Sequence, residues 1–159
     1  MALISDLLKF HDDLDGYFRR HQVSLLHFQF GEALEHLREY ERNLKAHMLD
    51  EEELLLPIYA ERAEIPRAGA VKLFLDEHEK MLAYIELFKE QTEKLAAEAE
   101  PEDGLILLLD RESFYKRLGS HHDHREHDIL YPILDQITSD EEKADILARA
   151  SAKPGAPAL

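Results

Sequence analysis

A short pattern occurs twice in this chain, and it restricts the fold more than any other feature of the sequence. His47, Glu51 and Pro57 recur as His122, Glu126 and Pro132, each 75 positions on (122−47, 126−51, 132−57). A histidine and a glutamate four apart lie on one face of a helix, one turn above each other. From there both can reach a single metal ion. Two such helices facing each other would make a site for two ions. A chain that satisfies both copies must set two helices face to face with polar groups turned inward.

Periodicity supplies the helices. Ile4, Leu7, Leu8, His11, Leu14, Phe18 and Leu25 fall at helical spacing and predict a first helix over residues 3–26. A second is expected over 31–60, with Leu34, Leu37, Tyr40, Leu44, His47, Glu51, Leu54 and Ile58 on one stripe. A third runs from Pro66, a good first helical residue, to about 98. Pro101 to Gly104 reads as a turn, and a fourth helix follows to about 137. Ser139 with Glu142 forms a capping box and predicts a short fifth helix to about 150. No alternating pattern competes. The expected fold is all-α: an up-down-up-down four-helix bundle with a short C-terminal fifth helix, one domain over 1–150, and a mobile tail over 151–159. Pro57 and Pro132 predict a kink or a helix end.

The net charge of −15 repels phosphate backbones, which argues against a nucleic-acid partner. No apolar run approaches the roughly 18 residues of a membrane span. Without cysteine there are no disulfides, thiolate nucleophiles, protein-held iron–sulfur clusters or Cys-type zinc sites. The N-terminus lacks a basic start with a small-residue cleavage site, so a cytoplasmic protein is expected. Residues 105–109, rich in leucine, could supply a homodimer face.

Ten histidines are many for this length. His11 and His78 each stand alone within an apolar stripe, and each precedes a tyrosine by six positions (Tyr17, Tyr84). Each half then reads as a helix with a lone histidine followed by one with His-x-x-x-Glu. Six polar groups, His11, His47, Glu51, His78, His122 and Glu126, face a bundle interior. An unpaired carboxylate there is very costly, and an unpartnered neutral imidazole costs roughly 1–3 kcal/mol. Metal ions are the common partner that removes the cost. Two nitrogens and two carboxylate oxygens per ion, with a solvent-derived bridge and one open position, suit iron or manganese better than tetrahedral zinc. His21 is the rival to His11 as first ligand. His27, His36, His121, His124 and His127 read as solvated surface, as does His21 if it is not a ligand. Tyr40 and Tyr115, each seven residues before its histidine, either pack or offer a hydroxyl to a bound ligand. Gly119 stands where the other half has Leu44, and either leaves room beside the metals or allows close helix packing.

The segments FHDDLDGYF, HMLDEEELLLP, LDEHEKM and HHDHREHDILYP resemble the hemerythrin-like, or HHE cation-binding, family. The resemblance implies a four-helix bundle around a non-haem diiron centre with an oxo or hydroxo bridge, manganese or zinc being substitutes. Its ligands would be His11, His47, Glu51, His78, His122 and Glu126, with Tyr40, Tyr115 and Gly119 around them. The chain differs from the oxygen-carrying members. Phe74 stands where they have a second histidine, and His127 where they have an aspartate. The symmetrical six-ligand pattern is similar to the iron-centre repair proteins of nitrosative stress. The resemblance implies a protein that binds or senses dioxygen or a related diatomic. Iron repair or donation, or peroxide or nitric oxide chemistry, is the alternative, and no catalytic side chain beyond the ligands stands out.

Overall fold

A computed structural model describes residues 2–155. Seven α segments are present: α1 (Phe10–Leu26), α2 (Phe30–Asp50), α3 (Leu56–Arg62), α4 (Val71–Ala97), α5 (Glu102–Arg125), α6 (Tyr131–Ile137) and α7 (Asp140–Arg149). There is no strand among the described residues. The expected first helix begins as a tighter 3₁₀ turn, Ile4–Lys9, whose backbone amides at Ile4 and Ser5 donate to the distant carboxylate of Asp135. That cap comes from α6, so nothing local could announce it.

The two prolines end no helix. A five-residue π turn, Glu51–Leu55, joins α2 to α3, and another, Glu126–Leu130, joins α5 to α6. In each, an amide donates to the carbonyl five residues back: Leu56 to Glu51 and Tyr131 to Glu126. Pro57 and Pro132 come directly after these amides. Having no N–H, a proline cannot complete the ordinary i→i−4 register, and the widened turn absorbs the mismatch. Both π turns open on the glutamate of the repeated pattern.

Helices α1, α2, α4 and α5 pack as a ring of neighbours, while α1 and α5 touch little. The apolar core is in two parts. One holds Leu14, Phe18, Leu44, Met48, Met81 and Tyr115 among others, and the second holds Leu7, Leu55, Phe74, Leu130 and Tyr131 among others. On α2, α4 and α5 the polar residues of the repeat lie where the helix passes from one part to the other: Glu51 between Met48 and Leu55, His78 between Phe74 and Met81, His122 and Glu126 between Tyr115 and Leu130. Each buried Phe or Leu contributes about 1.5–3 kcal/mol, so two large apolar layers can hold a polar layer between them.

Ser139 caps α7 as its sequence predicts: its Oγ accepts from the Glu142 amide at 3.1 Å, and the Glu142 carboxylate accepts from the Ser139 amide at 3.0 Å. Gly69 fits a close approach, since a Cβ there would lie 2.6 Å from both the Tyr59 hydroxyl and Ile129. Tyr59 donates to its carbonyl at 2.6 Å. Of residues 105–109, Leu105 and Leu108 are core, while Ile106 and Leu107 are exposed. Ser151 and Ala152 donate backbone N–H bonds to Asp50 at 2.9 and 2.8 Å. The rest of the expected tail, 156–159, lies outside the described residues. No helix among the described residues is long and apolar enough to cross a membrane.

Candidate metal centre

The structure brings the six residues of the pattern together. From α1 and α2, His11 and His47 bring their Nε2 atoms within 3.1 Å. Glu126 Oε1 lies 2.9 Å from His11 Nε2 and 3.6 Å from His47 Nε2. Its other oxygen lies 3.1 Å from His122 Nε2. Glu51 reaches both sides as well, with Oε1 3.1 Å from His78 Nε2 and Oε2 3.6 Å from His47 Nε2. Two overlapping groups result, His11–His47–Glu126 and Glu51–His78–His122–Glu126, each with ligand atoms within 4.8 Å of one another. Only His11 has appreciable exposure, at 14% of its side chain.

Short distances are not hydrogen bonds here. Glu51 Oε1, both ring nitrogens of His78 and both oxygens of Glu126 are buried without a well-formed hydrogen bond. An orphaned buried polar atom costs about 1–3 kcal/mol, more if charged. Five in one place are a large penalty for a structure that gains nothing from them. Four of them, Glu51 Oε1, His78 Nε2 and both Glu126 oxygens, converge on shared space rather than on each other's hydrogens, as a cation would require, while His78 Nδ1 faces away toward Glu52. Helical geometry makes this possible: the i, i+4 pair stacks each histidine over its glutamate, and the π turn sets that glutamate's backbone in a widened turn.

Left to themselves, His11, His47, Glu51, His122 and Glu126 shift one another's protonation. Burial disfavours the His47 and His122 imidazoliums, but Glu51 and Glu126 outweigh it, raising His47 to about 9 and His122 to about 11. His11 is raised too, burial being outweighed by the adjacent carboxylates of Glu126 and Asp123. Burial pushes Glu51 up, with repulsion from Glu126 adding to it. Glu126, for which burial is outweighed by His122, Glu51 and His11, lies well below the usual carboxylate range. Glu51 is thus the harder of the two carboxylates to ionise, as expected of two acids held close together.

Further residues hold the cluster, and sequence reasoning did not find them. Glu77, the neighbour of His78, has Oε1 3.2 Å from His122 Nδ1 and accepts from Arg125 Nε at 3.0 Å. A carboxylate on the outer nitrogen fixes the ring with Nε2 inward. Tyr131 donates to Glu51 Oε2 at 2.9 Å. Neither position repeats between the halves (Leu56 stands at 131−75), so the pattern gives no sign of them.

Tyr40 and Tyr115 meet, hydroxyl to hydroxyl, at 2.6 Å. Burial raises both, Tyr115 also through Tyr40, so both stay protonated at neutral pH. Two hydroxyls joined by one bond use one proton between them, and the second remains for a third acceptor. They line a cavity of about 750 Å³ that runs between α1 and α5 and ends at His11, His47 and His122. Gly119 lines it too, and a Cβ there would meet only the Met81 methyl at 3.9 Å. The glycine therefore leaves open space rather than serving close packing.

His21 corrects an expectation. It is neither in the cluster nor at the surface: it is fully buried, with Nε2 2.6 Å from Glu112 Oε2 and Nδ1 2.8 Å from the Ala33 carbonyl. A polar partner 91 positions away, itself fully buried, makes that burial tolerable. His27, His121, His124 and His127 are exposed, and His36 is half-buried.

Comparisons with known families, with curated proteins and with solved structures gave no match for this chain. The fold and the site define a class by themselves: an all-helical protein whose packed helices enclose a buried histidine–glutamate cluster compatible with a metal site.

Proposed function

We propose that the chain is a hemerythrin-like protein that holds two non-haem iron ions and binds or senses dioxygen or a related diatomic. His11 and His47 would hold one ion and His78 and His122 the other, with the carboxylates of Glu51 and Glu126 available to both. Four orphaned buried atoms, Glu51 Oε1, His78 Nε2 and both oxygens of Glu126, carry this reading. Mixed nitrogen and carboxylate donors favour iron or manganese over a tetrahedral zinc site. The up-down-up-down arrangement belongs with this reading, as do a cytoplasmic setting and a homodimer through Ile106 and Leu107.

When bound, the ions would supply an open coordination position and a change of oxidation state. The chain's own residues do the rest. Glu77 orients His122, Tyr131 orients Glu51, and the two apolar layers flank the cluster and leave the cavity as the approach to it. The spare hydroxyl proton of the Tyr40–Tyr115 pair is a donor that the apolar stretch of the cavity wall can offer to an acceptor.

The test is iron content after anaerobic reconstitution, followed by the optical spectrum on admitting air. Two ions per chain and an air-dependent visible band are expected. Protein that takes up no iron, or whose His47→Ala variant matches it in iron content and thermal stability, would refute the proposal.

A further inference from the structure

The cavity is far larger than a diatomic requires. A water molecule's share of liquid is roughly 30 Å³. The cavity's volume of about 750 Å³ falls instead in the range of organic-ligand pockets, roughly 300–1,000 Å³. Its inner wall is apolar, built from Leu14, Phe18, Leu44, Met48 and Met81. The repeat shows how the space arises. At the register where the first half places Leu44, the second places Gly119, and no other residue fills the gap.

Charge is distributed unevenly along it. Lys116 donates to Gln22 at 3.1 Å, and Arg19 lies one turn before Gln22 on α1, so two cations share one stretch of rim. Neither forms an ion pair among the described residues. Asp123, whose carboxylate lies 3.7 Å from His11 Nε2, is on the wall at the other end, near the cluster. Asp15 stands between the two ends, one turn from both His11 and Arg19 and within electrostatic reach of Lys116, so Asp123 alone marks the acidic end. A ligand with one negative end is drawn to the cationic stretch and kept from the acidic one.

We infer that this cavity binds an amphipathic organic monoacid, with its carboxylate at Arg19 and Lys116 and its apolar body along Leu14, Phe18, Leu44 and Met81. The inference goes beyond the diatomic reading and holds whether or not ions fill the cluster.

The experiment is titration of the purified protein with dodecanoate and with dodecan-1-ol, read by displacement of a fluorescent anilinonaphthalene sulfonate, with metal content measured in each sample. Saturable dodecanoate binding is expected at one per chain, with Kd of the order of micromolar and the alcohol about tenfold weaker. Arg19→Gln with Lys116→Gln should bring dodecanoate to the alcohol's level. Gly119→Leu should weaken both ligands by filling the space. Ser120→Phe, on the exposed rim, should do the same without disturbing the core. No saturable binding, equal affinity for acid and alcohol, or indifference to both Gly119→Leu and Ser120→Phe would overturn the inference. So would dodecanoate that ignores the rim variants and is lost on metal removal, because the acid would then sit on the ions.

Discussion

Replacing Tyr131 by phenylalanine removes one oxygen and little else. The ring is fully enclosed at 1% exposure, among Leu55, Leu130 and Leu134, so phenylalanine fits the same space. The hydroxyl's partner is Glu51 Oε2 at 2.9 Å, and that oxygen's other close neighbour is His47 Nε2 at 3.6 Å. In protein stripped of metal, burial and the nearby Glu126 work against the charge on Glu51, so the lost bond falls toward the range of neutral ones, about 0.5–1.5 kcal/mol. As a metal ligand, Glu51 must be ionised, and the same bond becomes charge-assisted, about 1.5–3 kcal/mol. The difference, about 1 kcal/mol, should appear as a five- to tenfold loss of metal affinity. Urea unfolding of the stripped protein and chelator competition for the loaded protein read the two quantities separately. Loss of stability in the stripped protein with unchanged affinity would refute the assignment of Glu51 as a ligand.

Glu112→Ala should cost about 1–3 kcal/mol, because it leaves His21 Nε2 buried without its partner, whereas His21→Leu with Glu112→Leu should recover most of the loss; a double-mutant cycle by urea unfolding decides. For stripped protein, the raised values of His47 and His122 contribute stability that is fully present below pH 6.5 and lost as pH rises through about 9 and then about 11. Metal affinity changes in the opposite sense, since imidazoles must lose protons to bind. Unfolding of the two forms at pH 6.5 and pH 9 should therefore show the stripped protein weakening while the gap between the forms widens; parallel curves would contradict this. Gly69→Ala should cost about 1–3 kcal/mol in thermal unfolding, because its Cβ meets Tyr59 and Ile129 at 2.6 Å.

What the sequence reveals and what it hides follow from the range of the forces involved. His11, His47, Glu51, His78, His122 and Glu126 are legible because inward polar residues at helical spacing are costly, and a duplication marks them twice. The helices and the Ser139 cap are legible because their causes lie within a few residues. The π turns are half legible: Pro57 and Pro132 show that the α register fails, but a widened turn and a helix end share that signature. Asp135 on the first amides, Glu77 behind His122, Tyr131 on Glu51 and Glu112 beside His21 are illegible. Each pairs with a residue at least 45 positions away and breaks the repeat. The cavity comes from an absence, the side chain missing at Gly119, and only packing shows whether a glycine admits a neighbour or leaves space.

Crystals of protein loaded with ferrous iron, measured at the iron absorption edge, address the two-ion centre most directly. Two anomalous peaks should stand on either side of Glu126, one beside His11 and His47 and the other beside His78 and His122. Maps without those peaks, or with Glu51 and Glu126 turned to solvent, would contradict the account.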